Sequence, residues 1–177
     1  MPQMSAIYAI GHSTRPLDDF VELLKAHGIT LLVDIRTIPR SRHNPQYSRE
    51  SLEQELPKKG IQYRHLPELG GLRHSSRDSI NTGWENSSFR GYADYMQTRA
   101  FASAIRRLME MAKGERVAIM CAEGNPFRCH RLLVADALTV RGVHVLHISS
   151  RKSAKEHRLT PFAHVEGTRI TYPPVRR

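Results

Sequence analysis

Val117-Ala118-Ile119-Met120-Cys121-Ala122-Glu123-Gly124-Asn125-Pro126-Phe127-Arg128-Cys129-His130-Arg131-Leu132 is the stretch on which the fold turns. An apolar run ends in Cys121, the turn Gly124-Asn125-Pro126 follows, and a helical pattern then opens through Cys129-His130-Arg131. Asn125 is a good N-cap, and Pro126 suits the first helical position, where a missing N–H costs nothing. The spacing predicts a strand over 117–121, a tight loop, and a helix over 126–141 closed by Gly142. Its polar groups collect at the end of the strand beside the positive end of the helix dipole, which attracts anions and favours thiolates.

Outward from that stretch the same alternation repeats. Ser5 to Ile10 is an apolar run closed by Gly11 and reads as a buried strand. Leu17, Phe20, Val21 and Leu24 fall at helical spacing after Pro16, with Gly28 as the stop, and Ile29 to Ile35 is a second strand. A short helix is expected from Ser48 to Leu56, with Ser51 and Gln54 as a capping box and Pro57 ending it. Ile61 to Leu66 is a third strand, a single long helix is expected from Phe89 to Met111, and Val143 to Ile148 is a fifth strand.

Residues 67–88 show no period, and a loop of that length inside a domain is usually a functional lid or partly disordered. The basic tail, 149–177, holds one candidate edge strand at 168–172. Strands alternating with helices, each strand apolar almost throughout, predict one α/β domain over 1–177. It is a three-layer, Rossmann-like arrangement around a mostly parallel sheet of about five strands.

The charge balance sets the class of partner. Lys+Arg number 27 against 17 Asp+Glu, a net +10, so the chain is drawn to phosphates, and a phosphate-containing small molecule or nucleic acid is the expected partner. Arginine predominates over lysine, which favours forked recognition of phosphate or carboxylate. No apolar run approaches the roughly 20 residues needed to span a bilayer, so no membrane partner is expected. The start of the chain has no apolar segment of the secretory type. Two cysteines cannot build a disulfide framework, and a cytoplasmic, reduced setting is the default.

In open α/β sheets ligands bind outside the carboxyl ends of the strands. The topology would therefore gather His12 and Ser13, Asp34 and Arg36, and the Cys121–Arg131 turn on one rim. Cys129, read as lying in the first turn of a helix beside Arg128, His130 and Arg131, has the neighbours that lower a thiol pKa and is the candidate nucleophile. Cys121 is expected to be the more buried thiol, in a supporting role. Glu123 is a candidate general base, its alternative being a pair with Arg128 or Arg131; His130 completes the catalytic set. Arg36, Arg42, Arg128, Arg131, His12 and Ser13 are the candidate anion ligands, His12 being expected to stand exposed.

Asp34 sits two residues from Arg36 and either orients it or merely closes a salt bridge. Tyr92 and Tyr95, about one turn apart, could frame a pocket or stack a base, although core packing is the commoner role at that spacing. A cysteine phosphatase loop puts five residues between Cys and Arg; here six separate Cys121 from Arg128. Four metal ligands are not visible locally, so no metal is expected among the site residues, and the sequence leaves any cofactor unassigned.

These motifs resemble the family called domain of unknown function 488. The resemblance lies in Ile10-Gly11-His12-Ser13, Leu32-Val33-Asp34-Ile35-Arg36 with Pro39, Ser41 and Arg42, Leu69-Gly70-Gly71, the Tyr92–Met96 region, and Cys121-Ala122-Glu123 leading to Cys129-His130-Arg131. It implies a compact α/β domain, supports the position of the site, and supplies no reaction. The expectation is an enzyme acting on a phosphate-bearing substrate, nucleotide or nucleic acid. Its alternatives are a non-catalytic nucleic-acid-binding module and a cysteine-based redox or metal site.

Overall fold

The computed structural model describes residues 5–175; residues 1–4 and the last two arginines of the basic tail lie outside it. Six strands form one sheet: β1 (Ala6–Gly11), β2 (Leu31–Asp34), β3 (Gln62–His65), β4 (Val117–Cys121), β5 (His144–Ser150) and β6 (Ser153–Glu156). Their order is β3-β2-β4-β1-β5-β6; the first five are parallel and β6 runs antiparallel to β5.

Side chains alternate across β4. Val117, Ile119 and Cys121 face a layer made by α3 (Ser87–Tyr95), α4 (Arg99–Gly114) and α5 (Arg131–Thr139). Ala118 and Met120 face α1 (Leu17–Ala26) and α2 (Arg49–Lys58). Strands covered on both faces can be apolar at every position, as β4 is, and β2 is apolar up to the buried Asp34 at its end.

This order places the site. β1 and β2 lead into α1 and α2 on one face of the sheet, whereas β4, lying between them, leads into α5 on the other. Chains leaving neighbouring strands in opposite directions open a crevice at their carboxyl ends. Cys121 stands at the end of β4, inside that crevice.

Four local expectations are corrected. The cap of α2 is Ser48, whose hydroxyl accepts from Ser51 N–H at 3.2 Å, and the helix passes Pro57 before ending at Lys58. The expected helix over 89–111 is two helices, because Thr98 turns extended and its hydroxyl accepts from Phe101 N–H at 3.2 Å, starting α4 anew. The expected helix over 126–141 is interrupted too: Pro126–Arg128 makes one 3-10 turn, Cys129 is extended (φ −131°, ψ 144°), and α5 begins only at Arg131.

The fourth correction concerns the tail. Ser153–Glu156 folds straight back on β5 and takes the sheet edge, so 168–172 is not an edge strand of the main sheet. Arg169–Thr171 instead pairs with His164–Glu166 as a separate hairpin. That hairpin packs Ile170 and Tyr172 into the helical layer.

Residues 67–88 are tied down. Asp94 of α3 accepts from Ser76 N–H, the Ser79 hydroxyl and the Asn81 amide at 2.9, 2.6 and 2.7 Å. Trp84 of the same loop lies among Phe89, Phe162 and Tyr172. Among the described residues no helix is long and apolar enough to cross a membrane.

Candidate active site

A cleft of about 360 Å³ opens at the carboxyl end of the sheet. Its floor is Cys121, Ala122, Glu123, Arg128, Cys129 and His130; Arg36, Thr37, Ile38 and Arg40 form one wall and Gly71 and Leu72 another. Six of the residues singled out from sequence therefore meet there: Arg36, Cys121, Glu123, Arg128, Cys129 and His130. Arg40 joins them, while Arg42 is exposed in the same loop and does not line the cleft.

Arg131 lies behind the floor. It is 2% exposed, and no carboxylate pairs with it among the described residues; its Nη1 donates to Cys121 Sγ at 2.9 Å and to the Glu123 carbonyl at 3.0 Å. A guanidinium stripped of water costs several kcal/mol unless an anion answers it, and a short N–H···S contact is what a charge-assisted bond produces. Burial alone would push the Cys121 thiol up; the hydrogen bond from Cys129 and the Arg131 charge outweigh it and hold the thiol below its ordinary value.

Cys129 moves the other way. Its bond to Cys121 and then its burial push its thiol well up, so the proton stays on Cys129. The premise that made Cys129 the reactive thiol, a place in the first turn of a helix, is not met, since the residue is extended between two helical segments. Gly11 makes the Arg131 geometry possible: a Cβ there would lie 1.8 Å from the Glu123 carbonyl oxygen and 2.7 Å from Arg131 Nη1.

His130 stands over this pair. Its Nε2 contacts the Ile35 carbonyl at 2.9 Å, which can only accept, so Nε2 carries the proton, and the unprotonated Nδ1 lies 3.6 Å from Cys129 Sγ. Burial lowers its pKa to about 4, so the ring is neutral at pH 7.

Asp34 and Arg36 close a buried salt bridge through Arg36 Nε (2.9 Å) and Nη2 (2.7 Å), and Nη2 also donates to the Tyr47 carbonyl at 2.7 Å. The salt bridge closes as read, and the fork that fixes the guanidinium sets Arg36 at the cleft wall. His12 is not exposed. It is 1% accessible, stacks on Tyr47 with centroids 4.1 Å apart, donates from Nδ1 to the Ser13 carbonyl at 2.7 Å, and faces Arg36 Nη1 at 3.5 Å. Burial lowers its pKa to about 4. Its one N–H is already used within the chain, which leaves nothing to offer an anion. Ser13 has positive φ (53°) and also stays outside the cleft lining.

Glu123 pairs with neither Arg128 nor Arg131. Its Oε1 accepts from Asn125 N–H at 3.1 Å, and the carboxylate is exposed at the mouth. Tyr92 is a core residue, its hydroxyl donating to the Leu69 carbonyl at 2.8 Å, and Tyr95 lies under the Arg73 guanidinium, 3.7 Å from the ring centroid. The aromatic pair therefore packs, and neither ring lines the cleft. Ile38 and Leu72, which do, were missed by sequence reasoning. Ile38 carried one weak signal, an apolar side chain in a loop of Pro, Arg and His.

Both cysteines are free. Among the described residues no group of three or more His, Cys, Asp or Glu is gathered as a metal site. A family model described as Domain of unknown function DUF488 matches residues 16–138. That span reaches from the turn before α1 into α5 and includes every cleft-lining residue, though not His12 or the C-terminal hairpin. No curated protein and no solved structure matches the chain.

Proposed function

We propose, from the premise that the chain belongs to the Domain of unknown function DUF488 family, that it is a cysteine-dependent enzyme acting on a phosphate-bearing substrate, a nucleotide or nucleic acid. The observation that carries this reading is the buried Arg131 guanidinium, which has a sulfur 2.9 Å away where a carboxylate would be expected. Cys121 then serves as the nucleophile and Cys129 as its proton-bearing neighbour. Arg40 and Arg128 supply forked donors for the phosphate, and Arg36, its own fork held by Asp34, adds positive charge at the wall.

In the chemistry this arrangement supports, Cys121 Sγ bonds to the electrophilic centre as a leaving group departs. Water deprotonated by Glu123, the exposed carboxylate at the mouth, then displaces the thiolate. A reduced, cytoplasmic setting suits two free thiols side by side.

Alkylation by iodoacetamide at varied pH, read by peptide mass spectrometry, tests the proposal. Cys121 is expected to react first, already at pH 7, and to be protected by added phosphate or nucleotide. First labelling of Cys129, or a Cys121 silent until about pH 9 where an ordinary thiol ionises, would overturn it. Replacing Cys121 by Ser is expected to abolish turnover and spare ligand affinity. If that variant instead kept every measurable effect, with affinity falling steeply with salt, the non-catalytic nucleic-acid-binding module would be the better account.

A further inference from the structure

Resting on the anion-holding cleft proposed above, we infer that its occupant is a nucleotide unit whose base lies against Ile38 and Leu72 while its phosphate meets Arg40 and Arg128. The mouth combines two surfaces that seldom coincide. Leu72 is 73% exposed and Ile38 49%, both on the cleft walls, and Phe127, next to the lining residue Arg128, is 73% exposed. Single exposed apolar side chains need no explanation. Two of them, Ile38 and Leu72, line one opening that also holds the Arg40 and Arg128 guanidinium groups, which sets exposed apolar side chains beside positive charge. A ring with polar edges and a phosphate attached matches both parts.

Leu72 adds an independent observation. It is held at φ 57°, in the left-handed region that a branched, bulky residue avoids. The clamp that puts it there is visible: the Thr37 hydroxyl donates to the Gly71 carbonyl at 2.8 Å, and a Cβ on Gly71 would lie 3.2 Å from His130 Nδ1. Gly70-Gly71 is thus pinned between the end of β2 and His130, and the next residue is turned outward. Strain that ends by exposing a leucine to water serves no packing purpose; it does serve a ligand that covers the leucine. Sequence-tolerant stacking on apolar and aromatic side chains along a basic groove is how single-stranded nucleic acid is held.

The test is equilibrium binding of a short single-stranded oligonucleotide, the same strand made abasic, a mononucleotide, and inorganic phosphate. The base-bearing strand is expected to bind about tenfold or more tightly than the abasic one. Leu72→Gly and Ile38→Ala should each remove most of that difference and leave abasic binding unchanged. Leu72→Gly should also keep or raise the melting temperature, because glycine relieves the left-handed strain; a merely packing leucine would lower it. Base preference retained by the mononucleotide points to a free nucleotide, and preference seen only in the oligonucleotide points to a single strand.

Equal binding of the two strands, phosphate competing as well as the nucleotide, or Leu72→Gly weakening both strands alike would overturn the inference. None of these readouts needs a reactive thiol. Base-dependent binding with an inert Cys121 would remove the enzyme reading alone, and a reactive Cys121 without base preference would remove this inference alone.

Discussion

Arg131 and Asp136 lie five positions apart on one helix, both buried, and the protein treats the two charges differently. Asp136 is saturated. Its Oδ1 accepts from His157 Nε2 at 2.7 Å and Thr160 N–H at 3.1 Å, and its Oδ2 accepts from the Thr160 and Tyr172 hydroxyls at 2.7 Å each. Every donor comes from the C-terminal segment, so the carboxylate fastens that segment to α5. Arg131 meets only carbonyls and a sulfur, and its Nε is buried without a partner among the described residues. A satisfied buried charge holds structure; an incompletely satisfied one is left to act on its neighbour, here by helping to hold the Cys121 thiol below its ordinary value.

The sharpest way to break that contrast is Asp136→Ala. Four donors lose their acceptor in a dry site, and a stability loss of about 3–5 kcal/mol is expected from denaturant unfolding, with Cys121 alkylation in the folded protein little changed. Equal damage to reactivity would mean that the two regions are one network.

Acid loads both regions. His12 and His130 beside the cleft and His147, which contacts His157 at 2.9 Å, all have pKa values lowered by burial from 6.5 to about 4. These rings are neutral when folded and take up protons when unfolded below about pH 6.5. Their contribution is therefore complete above that pH and is lost as pH falls toward 4. Up to about 3 kcal/mol per ring is at stake, so urea midpoints should drop steeply between pH 6.5 and 4.5. A flat profile would show that these rings are not dry.

Arg131→Met carries the smallest expected effect on stability and the most specific one on chemistry. The loss of one buried charge is offset because the Cys121 thiol it faces can take up a proton, so no uncompensated charge stays buried. Cys121 alkylation at pH 7 should nonetheless fall, since the charge that helps hold this thiol below its ordinary value is gone. Unchanged alkylation would show that the guanidinium does not hold the thiolate.

How much of this was legible beforehand depends on how far each signal reaches along the chain. Strand β4 needed only its own apolar residues, and the gathering of Arg36, Glu123 and the Cys-His-Arg turn followed from the carboxyl-end rule for parallel sheets. Thr98 was legible as a cap but was hidden inside a continuous apolar stripe. Cys129 misled because helical spacing continues through it, while the chain actually breaks there to turn its sulfur toward Cys121. Tyr92 and Tyr95 kept the bland role that their spacing favoured.

What the amino-acid order alone determined was the layered α/β plan with its mostly parallel sheet, the basic character of the chain and the neighbourhood of the cleft. Periodicity, turn chemistry and net charge are local or additive, so they survive without coordinates. Tertiary structure alone decided which thiol sits against the guanidinium, that His12 is shut away under Tyr47, and that residues 67–88 are clamped as a cleft wall with Leu72 turned outward. Those outcomes rest on burial and on hydrogen bonds between residues tens of positions apart, which act only once the chain has folded.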